Sequence, residues 1–268
     1  VTLEHEVQWY PGHMAKALRR IREYLRAIDV VIEVVDARAT RSGRNPVLDD
    51  LAAAKTHVVA LSRNDLAEPA VTKAWVADFE RRGAVAIAVD GRSRQSVNRI
   101  AEAIAQAPHR KRISGTARAM IVGIPNSGKS TIVNTLLRRA AAKTEARAGV
   151  TRQVQWFRLS PTLELMDTPG VLPPKISSGT AQWKLAMCDG VPAQRYDAQE
   201  VIAAFHQWAT LKRRDGVPDL QAFATARGFV RRGAEIDYHN AAVAYVRAFN
   251  DGVFGRFSLE GPYDGEAA

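Results

Sequence analysis

The chain has one cysteine, Cys188, in 268 residues, so no disulfide framework within the chain can form and a packed core must hold it together. The thiol reads as a small buried apolar side chain and fits a reducing compartment. No apolar run reaches the roughly 20 residues that span a bilayer. Val1–Gln8 lacks both the basic start and the apolar stretch of a secretory signal. The first residue is Val1 rather than Met, which leaves room for a removed leader. The expected home is a bacterial cytoplasm, and an organelle matrix fits as well. Acidic side chains are scarce too, 28 against 38 Lys and Arg, for a net charge of +10. The shortage is regional: residues 1–175 hold 28 basic against 17 acidic groups, and residues 176–268 hold 10 against 11. Such an excess favours a polyanionic partner. Single clusters, Arg19, Arg20 and Arg22 or Arg110-Lys111-Arg112 after His109, read equally well as solvated surface.

What is present has clear periodicity. Met14, Ala17, Leu18, Ile21, Tyr24, Leu25 and Ile28 recur at helical spacing, predicting an amphipathic helix over Gly12–Ala27 after Pro11. Short β-branched runs follow at Val30–Val35, His57–Leu61, Val85–Val89 and Ala119–Gly123, separated by helical intervals. That alternation predicts an α/β fold with a mainly parallel sheet flanked by helices. Val154–Leu159 and Leu163–Met166, joined at Ser160-Pro161, read as a hairpin that adds one antiparallel edge strand. A stretch rich in helix and strand breakers, Leu172 to Gly179, marks a boundary between residues 1–175 and a mostly helical part, 176–268. Helices are expected there at Ala181–Met187, Ala198–Lys212, Leu220–Arg227 and Asp237–Asn250. The last should carry Ile236, Tyr238, Ala241, Ala242, Tyr245, Val246 and Phe249 on one face.

Gly123-Ile124-Pro125-Asn126-Ser127-Gly128-Lys129-Ser130 satisfies G-x-x-x-x-G-K-[ST] and lies between a strand and the helical segment Thr131–Arg138. Glycines in such a loop let the N–H groups from Asn126 to Thr131 converge on phosphates at a helix N-terminus, where the macrodipole favours anions. Lys129 would neutralise the β- and γ-phosphates, and Ser130 would ligate Mg²⁺. Downstream, Asp167-Thr168-Pro169-Gly170 leaves a strand end, with Asp167 on Mg²⁺ and the Gly170 N–H facing the γ-phosphate. Thr151 falls between the two motifs and can close on the metal.

Nothing after Gly170 resembles the guanine-reading N-K-x-D. The candidate lies upstream, in Ser62-Arg63-Asn64-Asp65 after a strand. There Asp65 would accept from guanine N1–H and N2–H, and Asp90-Gly91 after the next strand would approach O6. Base-reading loops first and phosphate loops second can still build one site, because a sheet is indifferent to where its chain is cut.

Several stretches carry a family resemblance: Gln8-Trp9-Tyr10-Pro11-Gly12-His13-Met14-Ala15-Lys16-Ala17, Asp36-Ala37-Arg38 with Asn45-Pro46, Gly233-Ala234-Glu235-Ile236-Asp237, and Gly255-Arg256-Phe257-Ser258-Leu259-Glu260. Over essentially the whole chain it resembles the YlqF/RbgA family of circularly permuted ribosome-biogenesis GTPases. The resemblance implies a permuted P-loop GTPase domain, a small helical RNA-contacting domain, and binding of GTP and GDP. It also implies a protein that binds the large ribosomal subunit precursor and its rRNA and hydrolyses GTP late in assembly, and a monomer is expected. The family has Asn and Lys where this chain has Ser62 and Arg63. Ser62 can make only part of an Asn's hydrogen bonds, so weaker guanine affinity is expected, with preference over adenine kept by Asp65.

Val171 and Leu172 follow Gly170, and apolar side chains cannot orient an attacking water. His13 is the candidate implied by the resemblance, and a helix-start or RNA-contacting role is the alternative. Asn126 resembles the Asn that holds K⁺ in potassium-activated relatives, and a loop-shaping role fits it equally. Trp9 and Tyr10 could stack on bases, though core staples are the preferred reading. The permuted GTPase of small-subunit assembly is disfavoured, since its zinc site needs more than one cysteine. An rRNA-binding scaffold with weakened nucleotide dependence is the alternative from another class. The set Lys129, Ser130, Thr151 and Asp167 argues against it.

Overall fold

The computed structural model describes residues 12–48, 55–106, 115–141, 155–171, 176, 178–231 and 235–264. Val30–Asp36 (β1, VVIEVVD) is buried along its whole length, as a strand covered on both faces must be. Parallel partners flank it: Thr56–Ser62 (β2) on one side and Ala117–Val122 (β4) on the other. Val85–Ala88 (β3) extends the sheet beyond β2, and Leu163–Asp167 (β6) extends it beyond β4, both in parallel. Gln155–Ser160 (β5) closes one edge antiparallel to β6, as the hairpin pattern predicts. The order is β3-β2-β1-β4-β6-β5.

Strand alternation sends side chains to two helical layers. Val30, Ile32, Val34, Val58 and Ile121 meet Val97, Ile100 and Ile104 of Arg94–Gln106 (α3), with Ile132, Val133 and Leu136 of Lys129–Ala141 (α4). Val35, Val59 and Leu61 meet Trp75 and Phe79 of Pro69–Arg81 (α2). Gly12–Leu25 (α1) buries Met14, Ala17, Leu18, Ile21 and Leu25. Tyr24, expected in that stripe, is 38% exposed. At about 100° per residue it falls just past the stripe's margin, and its ring meets Trp156 of β5 edge-on at 6.4 Å.

Among the described residues, those of Pro174–Arg256 form a second unit. Its helices are Gly179–Met187 (α5), Ala198–Leu211 (α6), Leu220–Ala226 (α7) and Tyr238–Asn250 (α8). Ser178, Asp197, Asp219 and Asp237 cap them by accepting N–H groups of the first turn. Trp183, Phe205, Trp208 and Phe249 form an aromatic core. Tyr238 is 40% exposed at the start of α8, and Ile236 bridges to Val230 ahead of it, so neither belongs to the buried face proposed for them.

The sequence boundary assigned residues 257–264 to the helical part, but they pack elsewhere. Among the described residues, those of Phe257–Ala268 group with those of Tyr10–Pro173. The Phe257 N–H donates to the Leu66 carbonyl at 2.9 Å, and the Leu259 N–H donates to Arg38 at 2.7 Å. The Glu260 carboxylate accepts from the Ser42 N–H at 2.6 Å and its hydroxyl at 2.9 Å. Hydrogen bonds of this kind, not helical periodicity, decide where the segment lies.

Candidate nucleotide-binding site

The phosphate loop runs from the end of β4 into α4. At Gly123, φ is +149°, and a Cβ there would stand 2.4 Å from the Val34 carbonyl oxygen. Asn126 and Gly128 follow at φ +55° and +95°. Left-handed positions of this sort turn successive N–H groups to one side as an anion nest. Lys129 is buried and donates to the Gly123 and Ile124 carbonyls at 3.1 and 2.6 Å. Burial pulls its pKa down to about 8, and the charge of Asp167 opposes that pull. Ser130 is half-buried in the first turn of α4, Thr131 is exposed, and Ser127 is buried.

Asp167, fully buried, sits at the C-terminal end of β6. Beyond it, a Cβ on Gly170 would lie 2.7 Å from the backbone of Pro125. Only glycine lets the two loops approach this closely. The Val171 N–H donates to Gly123 at 3.1 Å, and the buried Asn45 amide donates to the Val171 carbonyl at 3.1 Å. Motif reading gave Asn45 no role, and the asparagine-proline pair stood out only through the family resemblance.

The loops expected to read the base come to the same end of the sheet. The Ser62 hydroxyl lies 2.6 Å from the Ser127 carbonyl and 3.1 Å from that of Val35. It has one proton to give, and the shorter contact is to the phosphate loop. The sequence comparison allows Ser62 only part of an asparagine's hydrogen bonds, and the structure gives that part to the phosphate loop. Arg63 adopts a left-handed backbone (φ +53°) and donates from Nη2 to the Asn126 carbonyl at 3.2 Å. The Asn64 N–H is held by Val89 at 3.2 Å, and Asp65 is half-buried beside it. Asp90 accepts from the Arg92 N–H, and the Gly91 carbonyl accepts the Thr135 hydroxyl of α4 at 2.7 Å. Loops separated by some sixty residues in sequence therefore share one corner.

Behind that corner stands an ion pair unassigned by any sequence motif. Asp36 takes the Arg38 N–H at 2.9 Å and its guanidinium at 3.0 and 2.8 Å. Arg63 Nε lies 3.7 Å from the same carboxylate. Burial alone would raise the Asp36 pKa, but Arg38 and then Arg63 outweigh it and hold the carboxyl below its ordinary range. Thr151, Trp9, Tyr10, residues 109–112 and the side chain of His13 lie outside the described residues.

The donor set suits a hard cation. One buried carboxylate, the Ser130 hydroxyl and an anion nest fit Mg²⁺ held jointly with substrate phosphates. No group of three His, Cys, Asp or Glu side chains able to hold a metal occurs among the described residues.

Comparison with known proteins agrees with this geometry. A family model described as "50S ribosome-binding GTPase" matches residues 118–211. Ribosome biogenesis GTPase A of Priestia megaterium is 36% identical over 97% of this chain and 98% of its own length. The Bacillus cereus protein of the same name is 36% identical over 96% of this chain and 94% of its own. The crystal structure of GNP-bound YlqF from Thermotoga maritima superposes with a TM-score of 0.73 at 30% identity, covering 93% of this chain and all of that one. Full-length similarity, the permuted loop order and the shared corner together make this chain a member of the ribosome biogenesis GTPase A (YlqF/RbgA) family of circularly permuted GTPases.

Proposed function

We propose that this GTPase binds the large ribosomal subunit precursor and hydrolyses GTP during its late assembly. The observation that carries the nucleotide part is the 2.6 Å contact from Ser62 to Ser127, which ties the base-reading loop to the phosphate loop. In this reading Asp65 accepts from guanine N1–H and N2–H, the Arg63 stem lies over the base, and Asp90-Gly91 faces O6. The N–H groups from Asn126 to Thr131, with Lys129, take the phosphates, and the Gly170 N–H faces the γ-phosphate. Ser130, Asp167 and Thr151 hold Mg²⁺, which when bound neutralises charge on the β- and γ-oxygens. His13 orients the attacking water, and Asn126 contributes to a K⁺ site that adds positive charge at the phosphates.

The partner reading rests on the basic excess of residues 1–175 and on what the relatives' names say of them. No helix among the described residues is long and apolar enough to cross a membrane. The reading places a monomeric protein with ribosomes, in a bacterial cytoplasm or an organelle matrix. Steady-state GTP turnover by the full chain, with and without large ribosomal subunits, tests it. Turnover that rises with subunits and falls in His13→Ala at unchanged GTP affinity is expected. No turnover in either condition would leave the rRNA-binding scaffold as the better description.

A further inference from the structure

Helix α1 has a second face that neither the core nor the nucleotide site uses. Lys16, Arg19 and Arg22 are exposed along it with one acidic neighbour, Glu23, and Arg26 is exposed in the turn just past Leu25. At 1.5 Å per residue the three on the helix span about 9 Å, and Arg26 extends the row. Next to its end, Tyr24 is 38% and Trp156 41% exposed, and the two rings meet at 6.4 Å with planes 81° apart. Arg118 of β4 lies 5.5 Å from the Trp156 centroid and is held there by Glu164 at 2.8 Å. Arg158, also exposed, is on the same edge strand.

Large aromatic rings left in water beside a row of cations are unusual on a surface that only has to be soluble. From this juxtaposition we propose that the α1 stripe and the Tyr24–Trp156 pair form a docking surface for an unpaired RNA segment. The arginines take its phosphates, and one base stacks on Trp156. The inference rests on the ribosomal-RNA partner proposed above and names the surface that meets it. Charge favours RNA over a protein partner, because the exposed side of the helix and the turn after it carry four exposed cations and one carboxylate. An unpaired segment fits better than a duplex, because stacking on a side chain needs a base already out of its helix. The surface also touches the chemistry through the sheet, since Gln155, next to Trp156, pairs with Asp167.

The test uses the full chain and a labelled single-stranded RNA of about twelve nucleotides, alongside a duplex of equal length and purified large subunits. Trp156→Ala should weaken single-strand binding about tenfold, and Trp156→Phe should keep most of it. Arg22→Gln with Arg26→Gln should lower the slope of log affinity against log salt by about 1.5. GTP affinity should stay at the wild-type value in each variant. If the wild type binds RNA and all variants bind it equally, this surface is wrong and the RNA partner stands. If the variants lose subunits but keep RNA, the patch meets protein and the proposal is overturned. If the wild type binds neither RNA nor subunits, the partner reading itself fails.

Discussion

Replacing Ser62 by alanine removes a single oxygen, and the structure sets what that should cost. The hydroxyl donates to the Ser127 carbonyl at 2.6 Å, while Ser62 and Ser127 are each 2% exposed. Water cannot easily reach the carbonyl left behind, so the loss is that of an orphaned buried acceptor, about 1–2 kcal/mol. For a domain of this size that lowers Tm by about 2–8 °C. The phosphate loop also loses a restraint next to Gly128, whose Cβ position lies 3.4 Å from the Ser62 Cβ. A weaker hold on nucleotide should accompany the lower Tm, up to about tenfold for each 1.4 kcal/mol that appears in binding. Differential scanning fluorimetry and titration with a fluorescent GDP analogue measure the two effects. Unchanged Tm together with unchanged affinity would show that the contact does not join the loops.

Gly170→Ala should weaken GTP binding about tenfold or more, because its Cβ would meet the Pro125 backbone at 2.7 Å and overpacking costs about 1–3 kcal/mol. Wild-type affinity would mean that the two loops are free to separate. Glu260→Gln should lower Tm by about 2–8 °C, since its carboxylate accepts both the Ser42 N–H and hydroxyl and the amide keeps one acceptor. Glu33→Gln should flatten the acid limb of the stability curve. Burial would raise the Glu33 pKa, yet the hydrogen bond from His57 and the charge of Arg44 outweigh it and hold it below its ordinary 4.5. Its stabilisation is therefore complete above that pH and drains away as pH falls below it. Equal urea midpoints for wild type and variant across pH 7 to 3 would contradict this.

Much of the fold is legible because its determinants are local. The run Val30–Val35 can be little other than a buried strand, and the phosphate loop announces both its strand and its helix. Where reading by pattern went astray, long-range partners decide. Tyr24 continues a helical stripe by count, but it lies on the stripe's margin and finds Trp156, more than a hundred residues away. Glu33 looks like a flaw in an apolar run until Arg44 and His57 close on it at 3.1 Å. Phe257–Glu260 carries no periodicity and docks through backbone bonds to Leu66 and Arg38. Ser62 shows most plainly why a motif comparison is incomplete. It registers a missing amide but cannot see that strand register sets the hydroxyl within reach of Ser127.

Changing Asp65 to asparagine tests most directly whether one nucleotide spans both loops. The carboxylate that accepts from guanine N1–H and N2–H becomes an amide able to donate to the C2 oxygen of xanthine. Competitive titration of the variant with GTP and xanthosine triphosphate should show preference passing from the first to the second, with Lys129→Ala weakening both. A variant that binds GTP as the wild type does would mean that the base is read somewhere other than Ser62–Asp65.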